Sequence, residues 1–240
     1  MLDKGLFVTL FGDNTNSIEV YIAYIICIVL SLAASYLLGS INTAIIISKT
    51  MFRDDIRTHG SGNAGLTNII RTYGMKAAAL TLIGDILKVV LALLITGFLF
   101  GFYYNKALCW NEMCYISGFF CMIGHIKPVF YRFKGGKGVL CTATMLALLS
   151  PAIFAVLLIL FIVLVAMTKY ISLGSVICAA FLPILMQGYM EIFAGEGVYN
   201  PMIMVICIVS AFVVIFCHRS NIKRLFRGEE NKFHFNRNCK

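Results

Sequence analysis

Seven nearly charge-free apolar stretches recur along the chain, at residues 20–48, 77–100, 113–126, 139–149, 152–168, 172–190 and 201–217. Several exceed the ~20 residues that a helix needs to cross the hydrocarbon of a bilayer. Lipid offers no partner to backbone N–H and C=O groups, so such stretches must be helical. The expected fold class is all-α: a polytopic membrane protein built as a bundle of seven transmembrane helices. The stretch 138–168 reads either as one long helix or as two helices turning at Ser150-Pro151. Proline suits the first turn of a helix, which favours two, with six spans as the alternative. Composition excludes the competing classes. Of 240 residues, 60% are apolar and only 13% charged, too few charges for a soluble enzyme or a disordered chain.

The formal net charge is +9, a value that can indicate nucleic acid or an anionic surface. Its distribution points to membrane topology instead. With the N-terminus outside and seven spans, segments 49–76, 127–138, 169–171 and 218–240 lie inside. They hold five, four, one and seven Lys/Arg residues, 17 of the 20 in the chain. Lys4 and Lys106 fall outside, and Lys88 lies within a span. Asp3, Asp13, Glu19, Glu112, Glu191 and Glu196 also fall outside. This is the positive-inside pattern, so the C-terminus is expected in the cytoplasm and nucleic acid is not an expected partner.

The expected organisation is an external extension (1–19), a transmembrane domain with cytoplasmic loops (20–217) and a cytoplasmic segment (218–240). Residues 1–18 lack a basic n-region and contain the polar run Gly12–Asn16, so a cleaved signal peptide is not expected. Leu6, Phe7, Leu10 and Phe11 leave room for one interfacial helix. The nine cysteines show no CxxC spacing. Most lie in spans as small apolar fillers, and Cys109 and Cys114 share an outer loop, where they are either paired or free. Neither a metal site nor a cofactor is indicated, and no internal repeat suggests the paired halves of a transporter.

Glycine and polar residues gather on the basic side. They form five clusters: Gly39–Thr43; Arg57–Asn68 followed by Arg71; Gly124–Pro128 with Phe133–Gly138; Ser172–Ser175; and His218–Arg224. The physical reading is anion binding at the membrane surface. At Gly60, Gly62, Gly135, Gly136 and Gly138 no Cβ blocks backbone N–H groups from converging on a phosphate. Ser40, Ser61, Asn63 and Asn68 add neutral donors, Arg71 a planar fork, and Lys134 and Lys137 compact charges. Gly60–Gly65 matches G-x-G-x-x-G, but no strand precedes it, which excludes a dinucleotide fingerprint. Gly138 follows Lys137 where a nucleotide-binding P-loop needs Ser or Thr.

Blander roles compete with these. Small residues such as Gly39, Ser40 and Gly174 serve helix packing. Topology alone accounts for Lys49, Arg53, Lys76 and Arg132. His59 and His234 read as solvated. His125 and His218, at inner membrane ends, read equally as structural or functional. Asp85 and Lys88, three residues apart within a span, read as a mutually neutralising pair.

On these motifs the chain resembles the bacterial integral-membrane acyl-phosphate:glycerol-3-phosphate acyltransferases, over nearly everything from residue 20 to 232. They are Gly39–Thr43, Gly60–Arg71, Gly84–Lys88, Gly124–Phe130, Phe133–Val139 and His218–Leu225 with Gly228 and Glu230. The resemblance implies a seven-helix bundle in the bacterial inner membrane with its site facing the cytoplasm. It implies transfer of a fatty acyl group from acyl-phosphate to the sn-1 hydroxyl of glycerol 3-phosphate, without a cofactor. Its partners would be these two substrates and membrane lipids; the oligomeric state stays open, and a monomer meets every requirement. By match to the family motifs, Ser61, Arg71, Lys137, Ser172, His218 and Asn221 would line the phosphate pocket, with Lys134 and Asn68 as second members. His218 is the side-chain candidate for general base, and a substrate phosphate oxygen is the competitor. The family usually has proline where Asn42 stands and alanine where Leu66 stands. These departures raise two expectations: a changed end to the first span, and an enlarged or tilted phosphate loop. An organic-phosphate transporter and a diverged paralogue with another acceptor are the alternative functions.

Overall fold

The protein is described by a computed structural model covering residues 6, 18–101, 112–193 and 200–233. Apart from Leu6, the proposed interfacial helix lies outside the described residues, as do His234 and Cys109, and Cys114 is a buried free thiol. Every regular element among the described residues is helical. The chain divides into two compact units, residues 1–145 and 146–240.

In the first unit, α1 (Ile18–Ser40) and α2 (Thr43–Met51) stand where a single span was expected. The break falls at Ile41-Asn42. Asn42 caps α2, its Oδ1 accepting the Ile45 N–H at 3.1 Å, a standard use of a short polar side chain at a helix start. The next helix, α3, runs over Leu66–Phe100 and is non-helical only at Gly74, whose φ of 83° suits glycine. It begins eleven residues before the expected span, and α4 covers Glu112–Ile126. α1 packs most extensively on α4 and also on α3. The approach of α1 to α4 depends on Gly39 and Gly124. A Cβ on Gly39 would overlap the Cys121 carbonyl, and one on Gly124 would overlap that of Tyr36. Small residues that let backbones touch are the usual adhesive between helices in lipid. Deeper in, Ser31 meets Thr96 and Ser35 meets Ser117, each pair at 2.7 Å, so these four buried hydroxyls are satisfied.

Helix α5 (Val139–Leu149) ends at Ser150, and Pro151 opens α6 (Pro151–Thr168). The 138–168 stretch is thus two helices, as the proline predicts. In the second unit α7 (Ile171–Phe193) packs on α6 and on α8 (Pro201–Cys217). A Cβ on Gly174 would come 3.0 Å from the Phe161 ring, which is the packing role expected of it. A short basic helix, α9 (Arg219–Phe226), follows a 57° bend after α8.

The seven expected apolar segments are all helical, but they do not all qualify as spans. Five are long and apolar enough, among the described residues: Ile18–Met51, Leu66–Phe100, Glu112–Tyr131, Pro151–Thr168 and Ile171–Ile192. Counting the bent pair α8 and α9 as one span makes six. The 11 residues of α5 extend only ~16 Å, about half of the hydrocarbon thickness. Large apolar side chains such as Ile25, Ile83, Phe98, Ile159, Ile184 and Phe212 are exposed, which suits contact with lipid tails. The protein is an integral membrane protein of apolar helices.

Candidate active site

The first glycine-rich loop is built around one amide. Asn68, in the first turn of α3, is 2% exposed. Its Nδ2 donates to the carbonyls of Ile56, His59 and Asn63 at 3.1, 2.9 and 3.1 Å. Its Oδ1 accepts the Ser61 N–H at 3.1 Å. The chain from 56 to 63 therefore wraps around Asn68. Gly60 and Gly62 take φ of 55° and 69°, and a Cβ on Gly60 would overlap Asn68 Oδ1. Ser61 is left exposed at the tip, with Asn63 and Arg71 half-buried.

The second loop folds back on the end of α4. Gly135 N–H donates to the Ile126 carbonyl at 3.2 Å and Gly136 N–H to that of His125 at 3.0 Å. A Cβ on Gly135 would overlap the His125 carbonyl, and one on Gly136 would overlap His125 Nε2 and lie 2.9 Å from the Ala64 carbonyl. Gly138 has φ of 83° and leads into α5. Lys134 is exposed and Lys137 half-buried.

Arg57 ties the loops together. Its Nη1 donates to the carbonyls of Tyr131 and Lys134 at 3.0 and 3.3 Å. Its Nε and Nη2 grip the Asp55 carboxylate, Nη2 at 2.7 Å. That guanidinium holds the Asp55 carboxyl down at about 2, a bidentate pairing that lysine does not reproduce. Beside it, Asp54 accepts from the Tyr73 hydroxyl at 2.8 Å and lies 2.7 Å from His59 Nε2. The Tyr73 bond is the main cause of its lowered pKa. Asn42 adds a third tie, its Nδ2 reaching the Ala64 carbonyl at 3.4 Å. Beneath the loops, Lys88 lies 2.8 Å from Asp85 Oδ1 and 2.8 Å from His125 Nδ1, all three residues buried.

The second unit has its own polar centre, the carboxylate of Glu230. Oε1 accepts from Ser172 Oγ at 2.8 Å and from Asn221 Nδ2 at 2.7 Å, and Oε2 from Arg224 Nε at 2.7 Å. Burial would raise the Glu230 pKa, but the hydrogen bonds from Asn221, Arg224 and Ser172 outweigh it and leave it lowered. His218, 3% exposed, sits in the bend between α8 and α9. Its Nδ1 is 2.8 Å from the Val214 carbonyl. A carbonyl only accepts, so Nδ1 carries a proton, and the neutral form of the ring has its lone pair on Nε2.

Several expectations change. The amides of Ser61, Gly62, Gly65, Gly135 and Gly136 donate to groups of the loops themselves, of α3 or of α4. At Gly60, Gly62, Gly135 and Gly136 the missing side chain serves turn geometry or close contact. Leu66 opens α3 and packs on the core of Ala44, Ile45, Ile56 and Ile69. Ser40 is fully buried, its hydroxyl bonded to the Tyr36 carbonyl at 2.9 Å and accepting the Val129 N–H at 3.3 Å. Sequence reasoning passed over Arg57, Asp55 and Glu230 as organisers. The signals were the Asp-Ile-Arg run beside the first loop and the place of Glu230 in the family motif, while its pairing with Ser172, 58 positions away, leaves no local trace.

Comparison with known proteins gives the arrangement a lineage. The family model described as glycerol-3-phosphate acyltransferase matches residues 29–228. A glycerol-3-phosphate acyltransferase of Finegoldia magna is 39% identical over 209 residues, 87% of this chain and 97% of that one. One of Clostridioides difficile is 40% identical over 199 residues, covering 82% and 91%. Among solved structures, PlsY (YgiH), an integral membrane glycerol 3-phosphate acyltransferase, is similar in its glycerol 3-phosphate form. Its TM-score is 0.74 at 30% identity, over 86% of this chain and 96% of that one. Its lysophosphatidic acid form gives 0.72 at 29%, over 86% and 95%. The chain belongs to the glycerol-3-phosphate acyltransferase family and is an acyltransferase of the membrane-integral kind.

Proposed function

We propose that the protein transfers a fatty acyl group from acyl-phosphate to the sn-1 hydroxyl of glycerol 3-phosphate. The hydroxyl oxygen bonds to the acyl carbonyl carbon and the bond from that carbon to the phosphate oxygen breaks. The products are 1-acyl-glycerol 3-phosphate and inorganic phosphate. The observation that carries this reading is the pair of basic loops, 59–71 and 133–138, tied together by Arg57. Two phosphate-bearing substrates call for two sets of cationic and hydroxyl donors. Because acyl-phosphate is already activated, the protein needs to hold two anions and stabilise the developing oxyanion.

In this reading Arg71, Lys137 and Ser61 contact phosphate and reacting oxygens, and Lys134 and Asn63 bind at the loop tips. Gly60, Gly62, Gly135, Gly136, Gly138 and Asn68 shape the loops, and Ser40 braces the second one. His218 Nε2, holding a lone pair, takes the hydroxyl proton, while Ser172 and Asn221 contribute polar groups held by Glu230. The charge distribution supports a topology with the N-terminus outside and the loops at the cytoplasmic face of a bacterial inner membrane. A membrane-bound monomer is the simplest working form.

Purified protein mixed with acyl-phosphate should release inorganic phosphate only when glycerol 3-phosphate is present. Release at the same rate without the acceptor, or turnover with acyl-CoA alone, refutes the reading. A transporter would instead move labelled glycerol phosphate across proteoliposomes without consuming it.

A further inference from the structure

The Asp85–Lys88–His125 cluster in the first unit has no part in the roles assigned above. Lys88 and Asp85 are 4% and 1% exposed. A buried cation is costly even when paired, and an apolar pair would fill the same volume. The Lys88 ammonium reaches beyond Asp85 to His125 Nδ1 at 2.8 Å and to the Gly39 and Ile41 carbonyls at 3.4 and 3.3 Å. Those carbonyls flank the break between α1 and α2. Asp85 Oδ1 also accepts the Thr43 hydroxyl at 3.2 Å, which fixes the carboxylate in turn. An ammonium only donates, so Nδ1 must accept and the ring proton sits on Nε2. This edge faces the second loop: a Cβ on Gly136 would overlap Nε2 and lie 2.8 Å from Cε1. The Gly135 and Gly136 amides are already bonded to α4, so neither is offered to an anion at this loop.

From this geometry we infer that His125 is a further substrate-contacting residue, a neutral imidazole whose Nε2–H donates to phosphate oxygens held at the Gly135–Gly136–Lys137 loop. Lys88 and Asp85 are the positioning residues that hold it as this donor. The inference rests on the reading that this loop holds phosphate. It gives His125 the opposite tautomer from His218, so one ring donates from Nε2 and the other accepts there. A neutral donor binds an anion without first bringing another charge into the membrane.

The test uses the full chain, with His125→Asn and His125→Gln. Asparagine keeps a polar group near the Nδ1 position and none near Nε2, whereas glutamine reaches the Nε2 position with an amide N–H. His125→Asn should raise the KM of a phosphate-bearing substrate and the inhibition constant of inorganic phosphate together, by about 10-fold or more. His125→Gln should recover most of that loss. Independently of any variant, 15N-histidine spectra of the wild-type chain should show His125 protonated at Nε2, with that signal moving when inorganic phosphate is added. Wild-type constants in His125→Asn, protonation at Nδ1, or an Nε2 signal unmoved at inhibiting phosphate concentrations overturns the inference. If His125→Asn does not fold, the wild-type spectra decide. Normal turnover with a silent His125 removes this inference alone; absence of turnover and of phosphate inhibition removes the phosphate-loop reading with it.

Discussion

Asn221 donates to Glu230 Oε1 at 2.7 Å, and the same oxygen accepts from Ser172, so one carboxylate orients two side chains from different helices. Glu230→Ala leaves three donors without their acceptor and should destabilise the protein by about 1–3 kcal/mol. Melting temperature in detergent measures it, and unchanged melting would remove Glu230 as an organiser. The pH dependence has a definite sign. The folded pKa is lowered from 4.5, so the contribution is present above that value and lost as pH falls through the lower folded one. Wild type and variant should converge in acid.

Asn68→Ala deletes four hydrogen bonds at the centre of the first loop. Each stranded partner costs up to a few kcal/mol if it stays buried, so the loop should open instead. Hydrogen exchange at residues 56–63 should quicken and activity fall by at least about 10-fold. Asn68→Asp should do worse, since a carboxylate would face three carbonyl oxygens. Full activity in either variant would mean that the loop holds its shape without this amide.

The Asp55–Arg57 pair, at 2.7 Å, predicts acid sensitivity. The Asp55 pKa is lowered from 3.8 to about 2. Its stabilisation is complete above the higher value and lost as pH falls toward the lower. Asp55→Asn should therefore flatten the stability profile between about pH 4 and 2. Arg57→Lys should lower activity at neutral pH, because an ammonium cannot hold the carboxylate and reach two carbonyls at once. A wild-type profile in Asp55→Asn would show that the pair does not govern this range.

Arg71→Ala and Lys137→Ala should each remove most activity while leaving the fold intact. Loss of a charged phosphate contact costs about 2–4 kcal/mol in transition-state binding. The measurement is kcat/KM for phosphate release, with melting temperature as control. Near-wild-type rates in both would displace the proposed site from these loops.

Helix positions, the Ser150-Pro151 break and the basic loops were legible because each depends on local properties: apolar length, a fixed proline φ, the placement of charge. The span count was less so. The 11 residues of α5 read like a span by apolarity and fall short only by length. Asn42 and Leu66 illustrate the limit differently. As departures from a family pattern they suggested a changed end to the first span and an altered loop; in the structure Asn42 caps α2 at the break and Leu66 packs on a core.

The sequence by itself determined that the chain is helical and membrane-embedded, and which segments carry polar chemistry, because lipid solvation and charge act on each segment separately. Only the tertiary structure decided what each polar group does. Whether a loop glycine offers its amide or admits a neighbour, and which ring nitrogen of His125 or His218 carries the proton, depends on the hydrogen-bond partner. Some partners lie one helical turn away, as Val214 does from His218, and others 37 residues off, as Lys88 does from His125. Hydrogen bonds are set by distance and direction in space, and no local pattern encodes contacts that folding alone creates.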